Sequence, residues 1–246
     1  MNEITIRKLT ELKLHGMADK LTELAQSPKY SSLSHDELFG LVVDHEHSRR
    51  RNSRIDRLLK AAKMKIANAC LEDLEYSAKR NLRREQIQNI LDSRFLENGH
   101  NVIISGKTGV GKTYIACALA QAACREGHSS QYFRVTRLLE TLKQEKHIGN
   151  YLKTIDQLGK KTLLVVDDIG PDVMTKEERN FFFEIVEERY MKTSTIFTSQ
   201  LPFAQWYEVF EDHTVADAIC DRIFHNAHKI DLDGETMRKK VAKKKE

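Results

Sequence analysis

The sequence predicts an α/β protein, a parallel five-stranded sheet held between helices and preceded by a small all-helical domain over residues 1–70. Three observations lead there. An apolar run from Asn101 to Ser105 ends in a glycine-rich turn and opens into a helical pattern, and a second run from Thr162 ends in Asp167 and Asp168. Around these two, short β-branched or aromatic runs alternate with helical stretches, the order expected of parallel strands joined by crossover helices. The first 70 residues carry helical spacing alone.

In chain order, residues 4–26 set Leu9, Leu12, Met17, Leu21 and Leu24 at helical spacing, and Ser27-Pro28 ends that run. Ser34 followed by Glu37 reads as a capping box that opens a second helix to about Ala62. Ile55, Leu58, Leu59, Ala62 and Ile66 make its apolar stripe, with Arg50, Arg54 and Arg57 on the opposite side. The second domain, residues 71–246, begins near Leu71 to Leu82, where Lys79, Arg80, Arg83 and Arg84 form a basic link. Its first strand leads through the glycine-rich turn to a helix over about Lys112 to Glu126, which Gly127-His128 ends. A strand at Gln131 to Val135 follows, then helical stretches at Thr136 to Lys146 and Tyr151 to Leu158, and a third strand at 162–167. Thr175 to Met191 reads as helix, Thr195 to Thr198 as strand, Ala216 to Phe224 as helix and Lys229 to Leu232 as the last strand.

Gly106-Lys107-Thr108-Gly109-Val110-Gly111-Lys112-Thr113 has the G-x-x-x-x-G-K-[ST] spacing of a phosphate-binding P-loop, placed between a strand and a helix. Its glycines let the backbone curl with N–H groups facing inward, and the following helix adds its positive end. Lys112 is positioned to reach the β- and γ-phosphates, and the Thr113 hydroxyl to ligate Mg²⁺. Asp167 ends a strand whose four apolar residues suit burial on both faces, and is expected across the Mg²⁺ from Thr113. Asp168, one position on, is placed to orient an attacking water.

Composition narrows the class. A charged fraction of 31%, with 3 prolines and no run of eighteen apolar residues, describes a helix-rich soluble chain without a membrane span. Met1 to Lys13 lack the apolar core of a signal peptide, which points to a cytoplasmic protein. Cys70, Cys117, Cys124 and Cys220 lack paired spacing and read as reduced, buried thiols. Asp44-His45-Glu46-His47 and His225 with His228 lack partners at zinc spacing and read as surface histidines. The net charge of +4 is modest, but Asp44 to Lys65 carries a net +5, and Arg238, Lys239, Lys240, Lys243, Lys244 and Lys245 make a basic tail. Arg49, Arg50, Arg51, Arg54 and Arg57 are either a solvated helix face or a patch for nucleic-acid phosphates with little sequence preference.

Together these motifs resemble the IstB-like AAA+ ATPases, helpers of insertion-sequence transposition, and more distantly the DnaC-type helicase loaders. The resemblance spans nearly the whole chain. It rests on Leu14-His15-Gly16-Met17-Ala18, the arginine-rich helix, Leu71-Glu72-Asp73-Leu74, the P-loop, Val166-Asp167-Asp168-Ile169-Gly170, Phe197-Thr198-Ser199-Gln200-Leu201-Pro202 with Trp206, Ala216 to Ile223, and His225-Asn226-Ala227-His228. It implies an AAA+ P-loop NTPase core that binds and hydrolyses ATP with Mg²⁺. Asp168 would stand where most relatives carry a catalytic Glu, Gln200 would be the sensor of the γ-phosphate, and Arg222 the arginine finger reaching a neighbouring subunit's nucleotide. Arg238 would be a second sensor, and the helical lid is reduced or absent, since about fourteen residues follow Leu232. The implied role is a homo-oligomer with shared ATP sites that assembles on double-stranded DNA, associates with the nucleoid when so bound, selects or remodels target DNA and recruits a transposase. A replicative helicase loader, a small-molecule P-loop kinase and a plain DNA-binding protein with a structural P-loop stay open as alternatives.

Overall fold

A computed structural model describes residues 3–26, 33–170 and 172–237. The Ser27-Pro28 break, Arg238 and the lysine-rich tail lie outside the described residues. The chain forms two compact units, 1–57 and 58–246.

In the first unit, α1 (Glu3–Glu11) and α2 (His15–Gln26) stand where the spacing predicts a single helix. The break is a Schellman turn. Lys13 takes a left-handed φ of 60°, its N–H donates to Thr10 O at 3.0 Å, and Leu14 N–H donates to Leu9 O at 2.8 Å. Helix α2 then begins against α3 (His35–Ala62), whose buried Glu46 accepts the Gly16 N–H at 2.6 Å and the Met17 N–H at 3.2 Å. A carboxylate on the first-turn amides satisfies donors that the helix itself leaves open and suits the positive end of its dipole. Gly16 is required there, because a Cβ would lie 2.8 Å from the Glu46 Cα. Helix α3 starts with the expected capping box, Ser34 N–H donating to Glu37 Oε2 at 2.7 Å and Glu37 N–H to Ser34 Oγ at 3.3 Å. It stops at Ala62, with Lys63 at φ 50°, so Ile66 is not part of its apolar stripe and packs instead beside Ala69, Cys117 and Ala118.

The second unit is built on five parallel strands in the order β2-β3-β4-β1-β5. These are β1 (Asn101–Gly106), β2 (Ser130–Arg134), β3 (Leu163–Ile169), β4 (Ser194–Ser199) and β5 (Ala227–Leu232). Alternation along the strands feeds two cores. Ile103, Leu164, Val166 and Phe197 face one side, where α6 (Val135–His147), α7 (Tyr151–Gly159), α8 (Lys176–Arg189), α9 (Trp206–Phe210) and α10 (His213–Phe224) supply Leu138, Leu158, Phe182, Trp206 and Ile219. Val102, Ile104, Leu163, Val165 and Ile196 face the other, against α4 (Arg84–Asp92) and α5 (Lys112–Arg125). Helices α4 and α9 are additions to the sequence reading. After β5 the described residues form no further helix, and Asp233–Met237 runs onto the glycine-rich loop, Met237 N–H donating to Gly109 O at 2.9 Å.

No helix among the described residues is long and apolar enough to cross a membrane. Cys117, Cys124 and Cys220 are buried free thiols and Cys70 is half-buried. Burial pushes the Cys117 thiol up to about 11 and the Cys220 thiol up to about 12.

Candidate functional site

Strand β1 sits between β4 and β5 while its own helix α5 leads away to β2 at the far edge, so the C-terminal ends of β1, β3 and β4 open on a crevice where the winding reverses. The crevice is a cleft of about 640 Å³ lined by Thr108, Lys112, Thr113, Asp167, Asp168 and Gln200 among others. Gly106 leaves β1 at φ 138°, and a Cβ there would meet Leu232 O at 2.2 Å. Gly111 precedes α5 in a left-handed conformation and gives it no side-chain cap, which leaves the first-turn amides to an anion. The back of the loop is fixed by buried Arg80, whose Nη2 donates to Val110 O at 2.8 Å. Lys112, also buried, donates from Nζ to Gly106 O at 2.6 Å and Lys107 O at 2.9 Å. Lys107 itself points outward to Asp233 at 3.3 Å.

Asp167 is 1% exposed and saturated with donors. Thr198 Oγ1 donates to its Oδ1 at 2.6 Å, Thr113 Oγ1 to Oδ1 at 2.9 Å, and the Tyr132 hydroxyl to Oδ2 at 2.6 Å, with Lys65 Nζ 3.5 Å from Oδ2. Burial, then the bond to Asp167, raises the Tyr132 phenol well above its ordinary value, so it stays a donor. A hydroxyl and a carboxylate side by side suit a hard cation that completes its shell with phosphate and water.

On a regular strand Asp168 would point away from Asp167. Here a bulge between Val166 and Ile169, with Asp168 at φ 68°, turns both carboxylates into the same cleft. Arg134, the last residue of β2, grips Asp168 Oδ2 through Nε at 3.0 Å and Nη2 at 2.7 Å. Gln200 Nε2 donates to Asp168 Oδ1 at 3.1 Å, and its Oε1 accepts from Thr108 Oγ1 at 2.6 Å. Partial burial raises the Asp168 carboxyl, but the bonds from Gln200 and Arg134 and the Arg134 charge outweigh it and hold it below its ordinary value.

The loop residues Gly106 to Thr113, Asp167, Asp168 and Gln200 therefore meet in one place. Arg222 lies elsewhere, on α10: its Nε donates to Glu187 of α8, its Nη1 to Ala218 O at 2.9 Å, and its guanidinium stands 5.2 Å from the Phe183 ring and 5.9 Å from the Tyr190 ring. In the first unit the five arginines are exposed, Arg49 pairing with Asp19, Arg50 with Glu46 at 2.6 Å, and Arg57 Nε donating to Ser53 O at 3.3 Å. His45 and His228 are half-buried rather than surface groups, because His45 Nδ1 meets Gly16 O at 2.9 Å and His228 Nε2 meets Ser93 Oγ at 3.0 Å. Sequence reasoning missed Lys65, Tyr132, Arg134 and Thr198 at the site. Arg134 left a trace, a charge at a strand's C-terminal end, Thr198 lay inside the Phe197-Thr198-Ser199-Gln200 motif, and Lys65 closed the basic stretch without being placed at the site.

This sheet, with a glycine-rich loop at a helix N-terminus facing a strand-end aspartate, defines a P-loop nucleotide-binding protein of AAA+ type. Residues 7–245 match the model of the family described as IstB-like ATP binding protein, and the chain belongs to that family. It is 38% identical over 240 residues to an insertion-sequence ATP-binding protein of Sinorhizobium fredii, covering 98% of each chain. It is 30% identical over 244 residues to the ATP-binding protein of insertion sequence IS21 from Pseudomonas aeruginosa, covering 99% of this chain and 91% of that one. Its fold is similar to the crystal structure of the DnaC helicase loader, at 21% identity and a TM-score of 0.57, over 68% of this chain and 97% of that chain.

Proposed function

We propose that this protein is an Mg²⁺-dependent ATPase that assembles on duplex DNA and, in that state, selects or remodels target DNA and recruits a transposase. The observation that carries the reading is the meeting of Thr113, Asp167, Asp168 and Gln200 at the mouth of the P-loop. The insertion-sequence names of its relatives support the biological setting.

Lys112 exchanges its loop carbonyls for the β- and γ-phosphates, and the amides at the start of α5 hold the chain of phosphates. Thr113 and Asp167 would hold Mg²⁺, which when bound would neutralise charge on the phosphates. Tyr132 and Thr198 keep the Asp167 carboxylate aimed at that position. Asp168 orients the attacking water, and Gln200, bonded both to it and to Thr108 of the loop, reports the γ-phosphate to the carboxylate. Arg222 leaves Glu187 to reach the nucleotide of an adjoining subunit, with Arg238 acting within its own subunit, so that ATP joins subunits and hydrolysis releases them. Arg49, Arg50, Arg51, Arg54 and Arg57 contact the DNA backbone.

Lys112→Ala and Arg222→Ala should each abolish ATP hydrolysis, with rates down by about 10²-fold or more. Mixed together they should regain part of it, because one mutant supplies an intact loop and the other an intact finger. A co-assembled mixture that stays inactive would reject the shared site. The DnaC likeness keeps a second client in view, and coexpression pull-down against a transposase and a replicative helicase separates the two.

A further inference from the structure

Asp167 is an almost fully buried carboxylate whose close hydrogen bonds come from three neutral hydroxyls, those of Thr113, Thr198 and Tyr132. Hydroxyls solvate an anion but do not cancel its charge, and a buried charge without an opposite one is costly. Lys112 Nζ bonds the carbonyls of Gly106 and Lys107, and Arg134 grips Asp168. The ion pair of Asp167 is with Lys65, three residues past the end of α3, whose Nζ stands 3.5 Å from Oδ2. Thr113 Oγ1 donates to both oxygens, to Oδ1 at 2.9 Å and to Oδ2 at 3.2 Å, so the ammonium and a metal held by Thr113 would share one carboxylate.

We propose that Lys65 is the resident counter-ion of the metal site, an ammonium that neutralises Asp167 in the metal-free protein and that a divalent cation must displace. The inference rests on the reading of the cleft as an Mg²⁺–ATP site. The geometry permits the exchange. The Lys65 side chain is 53% exposed and comes from the stretch between Ala62 and buried Ala69, so it can swing into solvent while the backbone stays anchored. A dication and an ammonium on the same carboxylate repel each other, so each weakens the other's hold. Lys65 thereby sets how much Mg²⁺ the site needs before it accepts nucleotide, and keeps the empty site from holding an uncompensated charge.

The test uses the full chain and a fluorescent ATP analogue, with binding followed by anisotropy at fixed nucleotide over buffered free Mg²⁺. Lys65→Gln should bind at a lower Mg²⁺ midpoint, about 3- to 10-fold below wild type, as expected for losing one partly solvated charge beside the metal. Lys65→Arg, which keeps the charge, should stay near the wild-type midpoint. Lys160→Gln, which removes an exposed charge paired with Asp156, should not move it. Without nucleotide or metal, Lys65→Gln should melt below wild type, and Mg²⁺ should close that gap. An unchanged midpoint in Lys65→Gln overturns the inference while leaving the ATP site intact. A raised midpoint also overturns it, since Lys65 would then be holding nucleotide. A wild-type protein that binds no nucleotide at any Mg²⁺ concentration rejects the site reading and the inference together.

Discussion

Two adjacent aspartates at the end of β3 stand in different surroundings. Asp167 is sunk among hydroxyls, whereas Asp168 is half-buried and held between a guanidinium and an amide. The Asp168 carboxyl is held below its ordinary value, so it stays ionised until the pH falls through that lowered value. If its carboxylate orients the attacking water, the acid limb of the ATPase rate should lie below the ordinary carboxylate range. Removing Arg134 takes away two bonds and a positive charge, so in Arg134→Ala the limb should move to higher pH. Rate measured against pH at saturating nucleotide checks this, and superimposable acid limbs would separate Arg134 from the titration. The pair was legible in the sequence, since a buried strand ending in two acids downstream of a P-loop has few other uses. What held each one was not, because Arg134, Tyr132 and Thr198 come from two other strands, and a linear pattern carries no information about which strand ends meet.

At the level of elements, β1 and β3 are buried on both faces and announce themselves as apolar runs, and all five strands lie where the sequence places them to within two residues. Short or irregular features do not. Helix α9 has five residues, too few to display a period, and the bulge that turns Asp168 inward depends on one positive φ. The break at Lys13 was hidden because the left-handed position of a Schellman turn is usually glycine. The Leu14-His15-Gly16-Met17 motif, by contrast, acquires a physical cause in the Glu46 carboxylate that takes the Gly16 and Met17 amides. Gly16→Ala should push that contact apart and destabilise the first unit by about 1–3 kcal/mol, the usual scale for overpacking a tight site. Thermal melting by circular dichroism, together with DNA affinity, measures it. A Gly16→Ala protein with unchanged melting and DNA binding would mean that α2 and α3 tolerate a wider separation than this geometry implies.

For the whole molecule, the question is whether the arginine-rich helix serves the fold or a partner, and its side chains divide on that point. Arg50 bonds Glu46 at 2.6 Å and Lys13 O at 3.2 Å, tying α3 to the turn before α2. Arg51, Arg54 and Arg57 stand exposed on the same helix. Phosphate contacts release counter-ions from DNA, so each one adds about 0.9 to the slope of log affinity against log salt. Arg51→Ala, Arg54→Ala and Arg57→Ala should each weaken duplex binding on unrelated sequences alike and flatten that slope by about one. Arg50→Ala should lower the melting point of the protein as well, because it strips the charge partner from buried Glu46. Anisotropy titrations over a salt series, run beside melting curves, distinguish the two kinds of loss. Assembly adds a second test on the same samples: light scattering should report growth only when ATP and duplex are both present. Arginine variants that weaken binding should need more DNA to reach the same size. If size and affinity ignore these three substitutions, the exposed arginines are a solvated face and the DNA contact must be sought in the other unit.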